Sequence, residues 1–310
     1  MANLRKLQRL LPLRHKVIEP DTKIDLGKFV TFPDGYRPTN PSVVRFGQDL
    51  LVCVRGVAYV IDEKCAAHGN ADQMPSLSCL FLISNELTFK GHVQLSQTRL
   101  DNVEDLKLFG GLGRIWGVGA VPVSDPRDPA ACVATLVEFD AGLTDCRLIQ
   151  FASPFGFPLE KNWAPFFAND AVHFVYSCQP LMLLRYDTIT GSVAFAGPQR
   201  HDPTTLKFLE GGSSGGIHAA FGEIFLTHRR VVRLPSRKRI YLSRIRVLSK
   251  DLVNLAAGPF FSIGRPTVQF ANGMLLDEDR VLITYGEMDA TAQLACFSRE
   301  RFERKVFPRL

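Results

Sequence analysis

Apolar residues along this chain come in short, nearly unbroken runs: Leu50 to Val54, Ala171 to Tyr176, Ile224 to Leu226 and Val281 to Tyr285. The runs are rich in β-branched and aromatic residues and are bounded by glycine or aspartate. That argues against helix and for strands covered on both faces. Turn formers stand in front of them, in "RFGQDLL", "FANDAVHF", "AAFGEIF" and "LLDEDRVL", so the runs read as second strands of β-hairpins.

The hairpins recur. Five segments share one plan: a polar residue, a short apolar run, a turn, then a β-rich run ending in a polar residue. They are "NPSVVRFGQDLLVCVRG" from Asn40, "EDLKLFGGLGRIWGVGA" from Glu104, "NWAPFFANDAVHFVYSC" from Asn162, "GSSGGIHAAFGEIFLTHR" from Gly212 and "VQFANGMLLDEDRVLITYGE" from Val268. Their starts lie roughly 50 to 64 residues apart, in the range of propeller repeats. Strand candidates between them, such as "SLSCLFLIS" and "IYLSRIRVLS", bring each unit to about four strands. The expected fold class is all-β, a five-bladed β-propeller with four-stranded antiparallel blades over residues 36–300. A two-sheet β-sandwich is the competing architecture, but it does not require five units with polar residues at equivalent points. Residues 1–35 are expected to form a short N-terminal extension with a helix packing its leucines on the domain, and 301–310 a C-terminal tail.

Composition narrows the class. In 310 residues the hydrophobic content is 46% and the charged content 22%, ordinary for a soluble globular protein. No stretch approaches the ~18 apolar residues of a transmembrane helix. The basic opening "MANLRKLQRLLPLRHK" has no clean apolar region and no small-residue cleavage site, so no secretory signal is expected. Seven scattered cysteines without a C-x-x-C pattern indicate reduced thiols and a cytoplasmic location. Cys65 and His68 are too few ligands for zinc, and neither metal nor cofactor is expected. Part of the +6 net charge lies in "RLPSRKRIYLSRIR". Without interleaved aromatics or a known motif, that run reads as a solvated hairpin rather than a nucleic-acid surface.

In a propeller the first strand of each blade lines the channel, so residues opening it and residues closing the second strand gather at one mouth. That would collect Asn40, Arg55, Glu104, Asp105, Lys161, Asn162, Ser213, His228, Arg229, Glu287 and Asp289. Such a mouth suits ligands with many hydroxyls or anionic groups. Glu104 and Asp105 are a like-charge pair, which can raise one pKa and keep a carboxyl protonated for acid catalysis. The same pair could simply ionise at a solvated strand end. Trp163, Phe166 and Tyr176 could stack on a sugar or serve as blade core.

The motifs "NPSVVRFGQDLLVCVRG", "VEDLKLF", "EKNWAPF", "GGSSGGI" and "ITYGEMDA", in this order over residues 36 to 298, resemble the successive blades of glycoside hydrolase family 130. The related glycosyltransferase family 108 shares the plan, and the last two motifs resemble a divergent bacterial branch. The resemblance implies a five-bladed propeller acting on β-mannosides. It implies Asp105 as general acid working through a sugar hydroxyl, Asn40, Ser42 and Arg55 on the sugar, Lys161 on phosphate, and Asp289 near the sugar. Two departures stand out. The family's Pro-Arg after the aspartate is Leu106-Lys107 here, and the arginines of the phosphate clamp have no counterpart in "ACVATLVEFDAGL". Lysine does not reproduce the bidentate fork of arginine.

The expected function is an enzyme making or breaking a mannoside-type glycosidic bond with inversion, as glycosyltransferase, phosphorylase or glycosidase. Asp105, with Glu104, would be catalytic. An inverting hydrolase would need a second carboxylate, for which Glu287, Asp289 and Glu160 are candidates. The ligand would be an oligosaccharide, a sugar phosphate or a nucleotide sugar. The alternative is a non-catalytic carbohydrate-binding or scaffold propeller.

Overall fold

The computed structural model describes residues 14–308, apart from 63, 65, 70–74, 97–99, 112, 126–127, 129, 197–209, 234–235 and 237. It is a five-bladed β-propeller. Blade 1 is built from Arg37–Phe46, Asp49–Val57, Leu77–Ile83 and Phe89–Val93, and blade 2 from Glu104–Gly111, Arg114–Pro122, Cys132–Phe139 and Cys146–Gln150. Blade 3 comprises Ala164–Ala168, Ala171–Cys178, Leu181–Asp187 and Ser192–Phe195. All neighbouring strands within these blades are antiparallel.

Blade 4 departs from the four-strand expectation. Its sheet has six strands, because the inner edge is split into Gly211–Gly212 and Ile217–Ala219 and an extra strand, His15–Ile18, joins the outer edge in parallel. Blade 5 takes three strands from the C-terminal part, Gln269–Leu276, Arg280–Glu287 and Thr291–Ser298, and its outer strand, Thr22–Asp25, from the N-terminal part. The chain thus closes its own ring. Residues 1–13, the leucine-bearing part of the expected N-terminal helix, lie outside the described residues. From His15 onward the segment is strand, with one 3₁₀ turn at Leu26–Phe29. The tail holds a helix, Arg299–Val306, which buries Phe302 and Val306 against blades 4 and 5.

The continuous apolar runs have a simple cause. In Asp49–Val57, Leu50, Val52 and Val54 face blade 5, while Leu51 and Cys53 face blade 2. Side chains alternate across a strand, so a strand between two neighbouring blades needs apolar residues at every position. Each adjacent pair of blades shares its own buried cluster, including the pair formed by blades 5 and 1. Arg45 paired with Asp277, and Arg280 bonded to Asn85, tie the same seam at its edge. Among the described residues no helix is long and apolar enough to cross a membrane. Among the described residues no cysteine is joined in a disulfide. Cys65 lies outside the described residues, and His68 faces Asp62 at 3.3 Å.

Candidate functional site

Where the inner strands meet the axis, the ladders carry β-bulges. One extra residue separates Thr39 from Ser42 in blade 1 and Glu104 from Lys107 in blade 2, each opposite a two-residue step. A bulge re-aims a side chain out of the pleat. Here the re-aimed residues are Asn40, with φ of 43°, and Asp105, with φ of 51°. Asn162, with φ of 63°, and Asp289, with φ of 47°, share this left-handed backbone at the entry of blade 3 and in the turn after Arg280–Glu287 of blade 5. Asparagine and aspartate tolerate that region better than other side chains. Their recurrence at blade mouths therefore has a backbone cause besides any chemical one.

The bulges bring distant residues into contact. Asn40 Nδ2 donates to Asp105 Oδ1 at 2.8 Å, and Arg55 Nη1 donates to the same oxygen at 3.0 Å. Arg55 Nη2 donates to Glu104 Oε1 at 2.7 Å. Thr39 Oγ1 lies 3.1 Å from Asn40 Oδ1 and 3.5 Å from Asp289 Oδ1, which links blade 5 to the group. Beneath it, Asn272 is fully buried and donates to the carbonyls of Asn40 and Leu106, clamping both bulges. Gly286 leaves room for the Asn40 carboxamide, which any Cβ there would strike.

Electrostatics separate the two half-buried carboxyls. Burial pushes Asp105 up, but Arg55, Lys107, the Asn40 hydrogen bond and Lys161 outweigh it and hold this carboxyl below its ordinary value. Burial and the Asp105 charge push Asp289 up to about 6. Lys107 is 2% exposed and donates to the Asp105 carbonyl at 3.2 Å. Burial, with help from Lys161, brings its amine down to about 8. His228 is brought down to about 3 by burial first and Lys107 next, so its ring is neutral. Its Nδ1 sits 2.8 Å from the Ser213 hydroxyl.

The run "LEKNWAPFF" splits between support and site. Glu160 is 2% exposed and accepts from Ser153, from Trp163 Nε1 at 3.2 Å and from the Tyr176 hydroxyl at 3.1 Å. Those bonds hold Trp163 and Tyr176 in the core between blades 2 and 3. Phe166 is likewise core, stacked on His173. Lys161 and Asn162 line a cavity of about 630 Å³ between blades 3 and 4, together with Gly211, His228, Arg229 and Tyr241, and Glu160, Trp163 and Tyr176 border the same cavity. The glycines of "GGSSGG" let blade 4 approach this wall. Gly212 donates to the Asn162 carbonyl at 2.7 Å, and a Cβ on it would stand 2.6 Å from the Ala164 nitrogen.

The structure therefore brings Asn40, Arg55, Glu104, Asp105 and Asp289 together, with Lys161, Ser213 and His228 on the adjoining wall. Ser42 is fully buried against Gly273, beneath the mouth. Glu287 accepts from Thr267 at 2.8 Å, at the seam of blades 4 and 5. Arg229 stands 5.9 Å over the Phe260 ring. Sequence reasoning named Lys107 only as a departure from the family's motif and did not single out Thr39, Asn272 or Tyr59. Tyr59 is held well above its usual range by burial, with Asp289, Asp105 and Glu104 adding to the shift against Arg55. A lysine inside the apolar strand "EDLKLF" was the one available cue.

No sequence family and no curated protein matches the chain. Solved structures do share the fold. A β-1,2-mannobiose phosphorylase from Listeria innocua, in complex with β-1,2-mannobiose, has 14% identity and a TM-score of 0.58 over 90% of this chain and 96% of its own. A mannose phosphorylase from Leishmania mexicana, in complex with a phosphate ion, has 12% identity and a TM-score of 0.53 over 99% and 97%. A structure of glycoside hydrolase family 130, described as mannoside phosphorylases with hydrolases that target β-1,2-mannosidic linkages in Candida mannan, has 13% identity and a TM-score of 0.52 over 86% and 85%.

Proposed function

We propose that this propeller is a carbohydrate-active enzyme that exchanges a mannoside-type glycosidic bond for a sugar–phosphate bond, with inversion at the anomeric carbon. The observation that carries this reading is the contact of Asn40, Arg55 and Asp105, far apart in sequence, beside the Lys107 and Lys161 cations. Asp105, fixed by two donors on one oxygen, is poised as an anion. In the synthetic direction an acceptor hydroxyl attacks the anomeric carbon opposite the phosphate. The hydroxyl proton passes to Asp105, directly or through a sugar hydroxyl, the carbon–phosphate oxygen bond breaks, and the phosphate departs toward the lysines. Phosphorolysis is the reverse, with Asp105 returning the proton to the glycosidic oxygen. Lys107 and Lys161 take the place of an arginine clamp, as point charges rather than forks.

Hydrolysis is a second reading, favoured by Asp289. Two carboxyls pushed apart in pKa match an acid and a base, with Asp289 protonated up to about 6. The experiment is turnover of β-1,2-mannobiose with and without phosphate, and of mannose 1-phosphate with mannose. Phosphate-dependent turnover that vanishes in Asp105→Asn, with mannose binding kept, is the expected result. Phosphate-independent release of mannose would select hydrolysis. Full activity of Asp105→Asn would remove Asp105 from the chemistry. Binding without turnover of any of these would indicate a carbohydrate-binding module.

A further inference from the structure

The second and third strands of blade 4, Gly222–Arg233 and Lys238–Ser249, have 12 residues each, whereas the second strands of the other blades have 8 or 9. Residues 224–250 contain nine Lys and Arg and no Asp or Glu. Two of these cations are spent within the fold. Arg244 and Arg246 both bond to Glu210, which also accepts from Thr227. Of the others, Arg229, Arg230 and Arg239 are not remote from the site. Arg229 and Arg230 line the 630 Å³ cavity that holds Lys161 and His228. Arg239 and Arg265 line a second cavity, of about 320 Å³, with Met288, the neighbour of Asp289. The two acidic residues of the larger cavity, Glu160 and Glu210, are consumed by their own bonds. Among the described residues no carboxylate pairs with Arg229, Arg230, Arg239 or Arg265.

We infer that Arg229, Arg230, Arg239 and Arg265 form a docking surface for an anionic saccharide chain, bearing phosphate or carboxylate groups, whose end enters the mouth at Asp105. The inference rests on the proposed reading that Asp105 handles a glycosidic bond. Charge selects the class. A neutral mannan offers these arginines only hydroxyl acceptors, whereas each arginine–oxyanion contact is a stronger, directional bond. Continuity selects a saccharide over other polyanions. The cations line two cavities, one holding Lys161 and His228 and the other Met288 beside Asp289, and all but Arg265 lie on one hairpin rather than a broad face.

The test is binding of four probes to the full chain at low and high salt: β-1,2-mannobiose, a phosphorylated mannose oligosaccharide, an oligo-mannuronate of similar length, and a single-stranded oligonucleotide of matched charge. An anionic saccharide is expected to bind about tenfold or more tighter than mannobiose. That advantage should shrink with salt and collapse in Arg230→Gln/Arg239→Gln, with an unchanged melting temperature showing that the variant is folded. The two saccharide probes tell phosphate from carboxylate. Equal affinity for neutral and anionic sugars, or no effect of the double variant, overturns the inference. So does oligonucleotide binding as tight as the better saccharide. Turnover of mannobiose with no anionic advantage would defeat this inference alone. An anionic advantage with no turnover of any donor would defeat the catalytic reading alone.

Discussion

Asp105 meets a backbone requirement and the proposed chemistry with one side chain. Its left-handed φ suits Asp or Asn, so Asp105→Asn keeps the bulge and removes only the charge. An alanine there would add strain of order 1 kcal/mol or more. Lys107 has the opposite character. Burial brings its amine from 10.5 down to about 8, so the fold works against its charge. Lys107→Met is therefore expected to hold or raise the melting temperature while weakening phosphate binding about tenfold or more, measured by calorimetry. In the native protein, phosphate affinity should fall as pH rises through about 8, where this amine loses its proton. Asp289 gives a stability signature. Its carboxyl moves from 3.8 to about 6 on folding, so between those values the native state binds more protons than the unfolded one. That contribution is present below 3.8 and is lost as pH rises through about 6. Asp289→Asn should flatten this part of the pH–stability curve in denaturant titrations.

At the scale of elements, the inner strand of blade 4 decides how closely the blades meet. Its glycines stand where backbone from blades 2 and 3 approaches. A Cβ on Gly215 would lie 2.6 Å from the Leu108 carbonyl oxygen. Gly212→Ala must push blade 4 away from Ala164, because the obstacle is backbone and cannot rotate aside. A loss of about 1–3 kcal/mol is expected, together with weaker sugar or phosphate binding, since the same strand carries Ser213 and holds the Asn162 carbonyl. A variant as stable and as tight-binding as the parent would show that this approach is looser than the contacts indicate. The hairpins, their turns and the apolar second strands were legible in sequence because each depends on neighbours in the chain. The splitting of the blade 4 inner strand was not, because glycine runs signal turns as readily as close packing.

For the whole molecule, ring closure is the controlling event. Leu26, fully buried, enters the core between blades 5 and 1, while both tryptophans, Trp116 and Trp163, lie in the core between blades 2 and 3. Leu26→Ala should cost about 2–5 kcal/mol. If the ring melts as a unit, tryptophan fluorescence will report the lowered midpoint from a core that Leu26 does not join. An unshifted midpoint would mean that blades unfold separately. The repeated pattern of apolar runs and turns determined five sheets of this kind, because strand period and turn chemistry act over a few residues. It also marked Asn40, Arg55, Asp105 and Lys161 as mouth residues. Only the tertiary structure decided which side chains face one another: that Glu160 braces Trp163, that Ser42 is sealed under Asn40, and that Lys107 stands beside Asp105. The physical reason is that contacts across the axis join residues from different blades, and local sequence carries no record of the distance between them.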